Sequence, residues 1–504
     1  MTSTGYEYPK TDVSVSPFAG DLRDFFPKPQ GLVESEWPPT QVDYLGLYLG
    51  ELGCQTVLAE SYYMDRDYVY DVALFYARSL RSYPNYCRRL HFFGAAFDQN
   101  TWRAMVVESG SRDAARKFLQ DSYLGFCVVR PLPGSPLGRT VLPTLGSDTK
   151  SGAKRSFGAV RPYEVHLAGY TLRVVGLVFQ QQDQGVSACA TTALWSSMHN
   201  VTKAEGLTIL TPAEITEAAS RYALPTGRAL PSEGLTVQQI CEATRAAGLQ
   251  PVLIPSVSLD HDRAQLLAYL SSGFAPVLAL QPLSGTGVGH AVCAVGLKTS
   301  EVRPQTNPEL LYKDRATGVC GIYIHDDRLG PYAAAELVPW TAQGGKIRTA
   351  VFIRWPDGDV PAEQSLLQAI IVPVPSKLRM SLTRIRALGH GLVQAAAVLF
   401  PEFAGHIVFN CRYQLASDYL ARASDFGLIQ DGCYELECKT VLSRFVGLIE
   451  ITNEDEPLFD VLLDATETLA NPSALAVVAR KGLPTKYHPE LENIALEFAA
   501  AAIL

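Results

Sequence analysis

Long apolar runs are missing from this sequence. Its most apolar windows, Leu366–Val374 and Gly391–Phe400, reach about half of the ~20 residues that a membrane-spanning helix requires. The first 18 residues carry no basic-then-apolar secretory pattern. A soluble, cytoplasmic protein with no membrane partner is therefore expected. Basic runs are absent too, and the net charge is −8, which argues against a nucleic-acid partner held through its phosphates. Clustered cysteines are lacking: the ten present are scattered singly, as reduced thiols would be, rather than set in a disulfide framework. Cys433 and Cys438 form the one close pair. With no second pair at zinc-ligand spacing beside it, the pair reads as structural. No internal repeat is visible, and neither a metal nor a cofactor is expected.

What remains describes an ordinary folded chain, 47% hydrophobic and 19% charged, with 504 residues, long enough for two to four domains. Residues 1 to about 40, rich in Pro and Gly, read as irregular. Helical spacing follows from Val42 to His91, with the best helix over Asp71–Leu80 and a dense set of tyrosines that reads as a packed helix face. Strands are predicted at Leu124–Val129 and Thr140–Leu145, and a hairpin at Tyr163–Ala168 and Thr171–Phe179. Thr211-Pro212-Ala213-Glu214 is a capping box with proline at the first helical position, and Thr236 opens another helix. A helix over Asp260–Leu270 and strands over Gln250–Pro255, Ala275–Leu280, His290–Gly296 and Gly321–Asp326 come next, with Ala350–Arg354 expected to close the sheet. Helices followed by an antiparallel sheet make an α+β pattern. Beyond the Trp355–Pro361 linker, short strands (Ala369–Val374, Val446–Ile451, Val461–Leu463) alternate with helices (Gln414–Ala423, Ile494–Ala501) and carry no chemical motif.

One stretch organises the rest. Gln180-Gln181-Gln182-Asp183-Gln184-Gly185-Val186-Ser187-Ala188-Cys189 runs from amides through a glycine into a serine and then a cysteine, and the following residues are uncharged as far as Met198. With Ser187 as N-cap, Cys189 falls near the second helical position, where the positive end of the helix dipole favours the thiolate. A helix apolar or small on all sides belongs in a core. Most single cysteines are small core residues, so the sulfur gains meaning only from its company. His290 opens an apolar strand through Gly287-Val288-Gly289, and Asp326-Asp327 end another strand about 35 residues later. Alone, a strand-end histidine and turn carboxylates say little. Together with Cys189 they complete a nucleophile, a base and an orienting group. By strand alternation Asp326 continues the face of Ile322 and Ile324, while Asp327 points the other way.

At this point the sequence resembles the papain-like cysteine peptidase fold, closest to the bacterial branch of bacteriocin-leader-processing peptidases. The likeness rests on the glutamine-rich lead, Cys189-Ala190-Thr191-Thr192-Ala193, Gly289-His290-Ala291-Val292-Cys293 and Ile322-Tyr323-Ile324-His325-Asp326. It implies a buried nucleophile helix packed on an antiparallel sheet over residues 172–355. It also implies Cys189 as nucleophile, His290 as base, Asp326 as orienter and a glutamine as oxyanion donor. The family places that glutamine six residues before the cysteine, where this chain has Asp183. Gln182 and Gln184 bracket the position, and both stay candidates.

The expected activity is hydrolysis of a peptide or isopeptide bond in a protein substrate. Acyl transfer or deamidation on the same scaffold, or protein binding by a decayed peptidase, are the alternatives. The flanks, residues 1–171 and 356–504, are expected to recognise a regulatory protein partner or to restrain the protease.

Overall fold

The computed structural model describes residues 12–26, 40–80, 82–107, 112–132, 134–149, 151–183, 185–186, 188–221, 234–285, 288–302, 311–341, 345–355, 361–421, 441–467, 474–491 and 493. The expected Ile494–Ala501 helix and the Cys433–Cys438 pair lie outside them. The described chain is α+β with three main sheets, almost wholly antiparallel.

At the centre is a six-stranded barrel: Val277–Pro282, His290–Thr299, Val319–Asp326, Gly330–Thr341, Ile347–Arg354 and Pro361–Pro375. The sequence assigns closure of the sheet to Ala350–Arg354, which lies in the strand Ile347–Arg354. Closure falls instead to Pro361–Pro375, which pairs with Ile347–Arg354 on one side and with Val277–Pro282 on the other. Ser365 and Leu366 pair with both at once and leave the barrel no open edge there. The same strand also carries Leu249–Pro255. The barrel thus runs across the 355/356 boundary drawn from sequence.

The helix Cys189–Ala204 packs against the barrel strand His290–Thr299 and touches three others. Every side chain from Ala190 to His199 is buried, as an uncharged helix should be. Two capped helices flank it. Thr211 and Glu214 form the expected capping box on Pro212–Ser220, and Thr236 and Gln239 do the same for Val237–Ala246.

The N-terminal part is a five-stranded sheet in sequence order, Val13–Pro17, Thr56–Tyr63, Cys87–Phe93, Tyr123–Val129 and Leu137–Val141. Its helix Arg66–Leu74 starts and ends earlier than expected, because Asp65 caps it by accepting from the Asp67 and Tyr68 amides. The hairpin Arg161–Leu167/Tyr170–Gly176 forms as read. Mutual Thr140–Phe179 backbone hydrogen bonds of 2.8 Å then tie the outgoing chain to the sheet. The C-terminal part packs the helix Leu382–Leu399 on a second five-stranded sheet. A Cβ at Gly389 would lie 2.9 Å from the Cys411 sulfur, so only glycine allows that approach. No helix among the described residues is long and apolar enough to cross a membrane.

Candidate active site

The Cys189 helix begins one residue later than the sequence suggests. Its N-cap position is Ala188, which offers no side-chain cap, and Cys189 is the first helical residue rather than the second. Ser187 itself lies outside the described residues. The Ala188 carbonyl accepts from the Thr191 and Thr192 amides. The Cys189 amide belongs to the first turn, where helix geometry supplies no acceptor. Cys189 is half-buried.

His290 begins its barrel strand fully enclosed, and its Nε2 meets Asp326 Oδ1 at 2.9 Å. Burial alone would depress the imidazole. The Asp326 charge and hydrogen bond overcome it, with a hydrogen-bonding contribution from the Cys189 thiol and the charge of Asp327, and hold the ring well above its ordinary value. Nδ1 is buried and makes no hydrogen bond among the described residues. Asp326 Oδ1 also accepts from the Arg328 amide at 2.9 Å. Burial would raise this carboxyl, but His290 and Arg328 outweigh it and keep it below the usual range.

Asp327 does not face away as alternation suggests. The pairing is irregular between Ile324 and Asp326, and Asp327 Oδ1 comes within 3.8 Å of His290 Nε2. Burial, followed by the repulsion of Asp326, pushes Asp327 up to about 7 against the pull of His290. The two carboxyls therefore part ways: one is hydrogen-bonded and ionised, the other is crowded, with a buried Oδ2 that has no partner among the described residues. His290, Asp326 and Asp327 each bring one ligand atom within 4.8 Å of the others, so this trio is where a cation could be held.

The lead-in loop is built from charge. Asp183, at the family's glutamine position, accepts from the Gly185 and Val186 amides at 2.8 and 2.6 Å, and its other oxygen faces Arg130 at 3.4 Å. A carboxylate that already shapes the loop cannot donate to an oxyanion. Gln181 is spent on Leu137 and Gly134. Gln182 is half-buried, and Gln184 lies outside the described residues. The sequence reading passed over Gln180, which is buried and whose Nε2 has no acceptor among the described residues. Its place in the same amide run was the available signal.

No protein-family model matches this chain, and no curated protein does either.

The N-terminal part is tightly joined to this site. The Tyr76 ring leaves no room for a Cβ on Gly185, which would come within 2.8 Å of it. From the helix Thr40–Glu51, Tyr44 covers Gly330 just past the two aspartates, and Gln41 Nε2 donates to the Asp327 carbonyl at 3.0 Å. Cys241 and Cys320 are half-buried like Cys189, and the remaining described cysteines are not. Cys54, Cys87, Cys127, Cys293 and Cys411 are buried, and burial pushes Cys54 up to about 11 and both Cys127 and Cys411 up to about 12.

Proposed function

We propose that this chain is a papain-like cysteine peptidase that hydrolyses a peptide or isopeptide bond in a protein substrate. The observation that carries the reading is the two-sided setting of His290: Nε2 is committed to Asp326 at 2.9 Å, and Nδ1 is left for the Cys189 thiol. An Nε2–H held by a carboxylate fixes the tautomer with its lone pair on Nδ1. A ring of raised proton affinity is a strong acceptor for the thiol proton.

In the first half-reaction Nδ1 takes that proton and the sulfur adds to the substrate carbonyl carbon. The oxyanion is received by the Cys189 amide and by a glutamine of the lead-in run. Nδ1–H then protonates the leaving amine, the C–N bond breaks and a thioester remains. In the second half, water gives its proton to Nδ1, attacks the thioester and releases the acid and the thiol. The substrate enters as a chain rather than a small molecule, and the N-terminal part restrains the loop that carries the sulfur.

The test is intact-mass spectrometry of the full chain after exposure to a library of peptidyl acyloxymethyl ketones. One adduct per chain, mapped to Cys189 and absent from Cys189→Ala and His290→Ala, is expected. An adduct formed equally well by His290→Ala would remove the base from the mechanism. Deacylation of a peptide thioester in water, compared with added amine, separates hydrolysis from acyl transfer.

A further inference from the structure

Away from Cys189, a cavity of about 390 Å³ lies between the N-terminal sheet, the 161–176 hairpin and the later turns of the cysteine helix. Four arginines line it: Arg66, Arg89, Arg139 and Arg161. His199, also in the wall, stands ten residues beyond Cys189 on the same helix, about 15 Å along its axis.

Three of the four arginines have a carboxylate at ion-pair distance and Glu164 also lines the cavity, so what sets the site apart is Arg161. Arg89 is paired with Glu60, and Arg139 with Asp65 at 2.7 Å. Arg66 reaches the Ile209 carbonyl at 2.9 Å and Glu214 only at 3.8 Å. Arg161 has no carboxylate at ion-pair distance among the described residues. It stacks on Tyr163, 3.9 Å from the ring centre, and its Nη2 lies 3.0 Å from His199 Nδ1. That contact requires a neutral imidazole, and burial together with the charges of Arg161, Arg139 and Arg66 holds His199 well below its ordinary value. The Nε atoms of Arg139 and Arg161 are buried without acceptors among the described residues. Asp67, the buried acid of the wall, is pushed up to about 7 by burial and by Asp65, so its negative charge is only partly present at neutral pH.

We propose that this cavity binds a small phosphate monoester, with the phosphate on the Arg161 and Arg139 guanidiniums and the organic part against Phe126, Val165 and Ile209. Planar guanidinium forks match phosphate oxygens two at a time. A phosphate monoester brings a charge of about −1.5 to −2 and three acceptor oxygens, more than a carboxylate offers to an excess of donors. The volume is in the ~300–1,000 Å³ range of small-molecule sites and exceeds what bare phosphate fills. The site opens where Glu164 and His166 are exposed, so entry needs no rearrangement of the core. This inference is independent of the chemistry assigned to Cys189.

Isothermal titration of the full chain with glycerol 2-phosphate, inorganic phosphate and acetate, at matched ionic strength, tests it. Saturable binding is expected for glycerol 2-phosphate, weaker binding for phosphate and none for acetate. Arg161→Gln should weaken the phosphate monoester by about tenfold or more, the loss of charge-assisted hydrogen bonds, and Arg161→Lys should recover part of that. Should Arg161→Gln fail to fold, the exposed Arg66→Gln carries the same expectation of weaker binding. No saturable heat with glycerol 2-phosphate, an equal affinity for acetate, or unchanged affinity in the arginine variants would overturn the proposal.

Discussion

Asp326 and Asp327 are adjacent, both buried and both near one imidazole, yet their surroundings give them opposite ionisation. Asp326 holds the His290 N–H and the Arg328 amide, whereas Asp327 has one oxygen with no partner among the described residues. Asp326→Asn should therefore cut kcat/KM by about 10⁴-fold, as loss of an orienting carboxylate does in triads, and Asp327→Asn should cost far less. Steady-state kinetics on the two variants decide it, and equal losses would refute the assignment. Asp327 also makes a prediction about stability. Its folded pKa of about 7 stands above the ordinary 3.8 of an aspartate, so between these pH values the fold keeps a proton that the unfolded chain has released. That contribution to stability is lost as pH rises through about 7. Asp327→Asn should gain more stability over wild type at pH 8 than at pH 5, read as denaturation midpoints. Chelation should leave turnover unchanged; a loss on EDTA restored by zinc would assign the trio to a metal instead. Sequence was informative here about identity and blind about direction. Strand alternation named Asp326, but it could not foresee the pairing irregularity that turns Asp327 back toward the ring.

At the scale of elements, the lead-in loop and the helix it feeds are one unit. Arg130 is fully buried, donates to the Ser135 and Gln181 carbonyls at 2.9 and 2.8 Å and faces Asp183 at 3.4 Å. Arg130→Met would strand Asp183 without its cation in the core, a loss of about 3–5 kcal/mol, measurable by urea denaturation. Gly185→Ala should lower turnover by forcing the loop off the Tyr76 ring, read by steady-state kinetics. The oxyanion donor can be found by comparing Gln180→Ala, Gln182→Ala and Gln184→Ala. The true donor should lose about 10²–10³-fold in kcat with KM little changed. Capping boxes at Thr211 and Thr236 were legible because a cap is a local contract among four residues. The role of Asp183 was not, because its partner Arg130 lies 53 residues upstream.

On the scale of the whole molecule, the barrel and its cover do not respect a cut at residue 355. Pro361–Pro375 supplies the closing strand, and the helix Thr40–Glu51 seals the aspartate turn through Tyr44 and Gln41. A chain restricted to residues 172–355 should fail to show a cooperative melt by circular dichroism. The linker signal Trp355–Pro361 was real in composition, but composition cannot tell that the segments on either side of it pair as strands. Likewise the net charge of −8 conceals a cavity walled by four arginines, since a sum over the chain says nothing of where charge collects. The central claim is that Cys189 and His290 act as one nucleophilic pair. Its most direct test is the rate of iodoacetamide alkylation at each cysteine, resolved by peptide mapping, in wild type and in His290→Gln. Cys189 should label first in the wild type, ahead of Cys320 and the buried thiols, and should slow markedly in His290→Gln. Labelling of Cys320 before Cys189, or an unchanged Cys189 rate without the histidine, would contradict it.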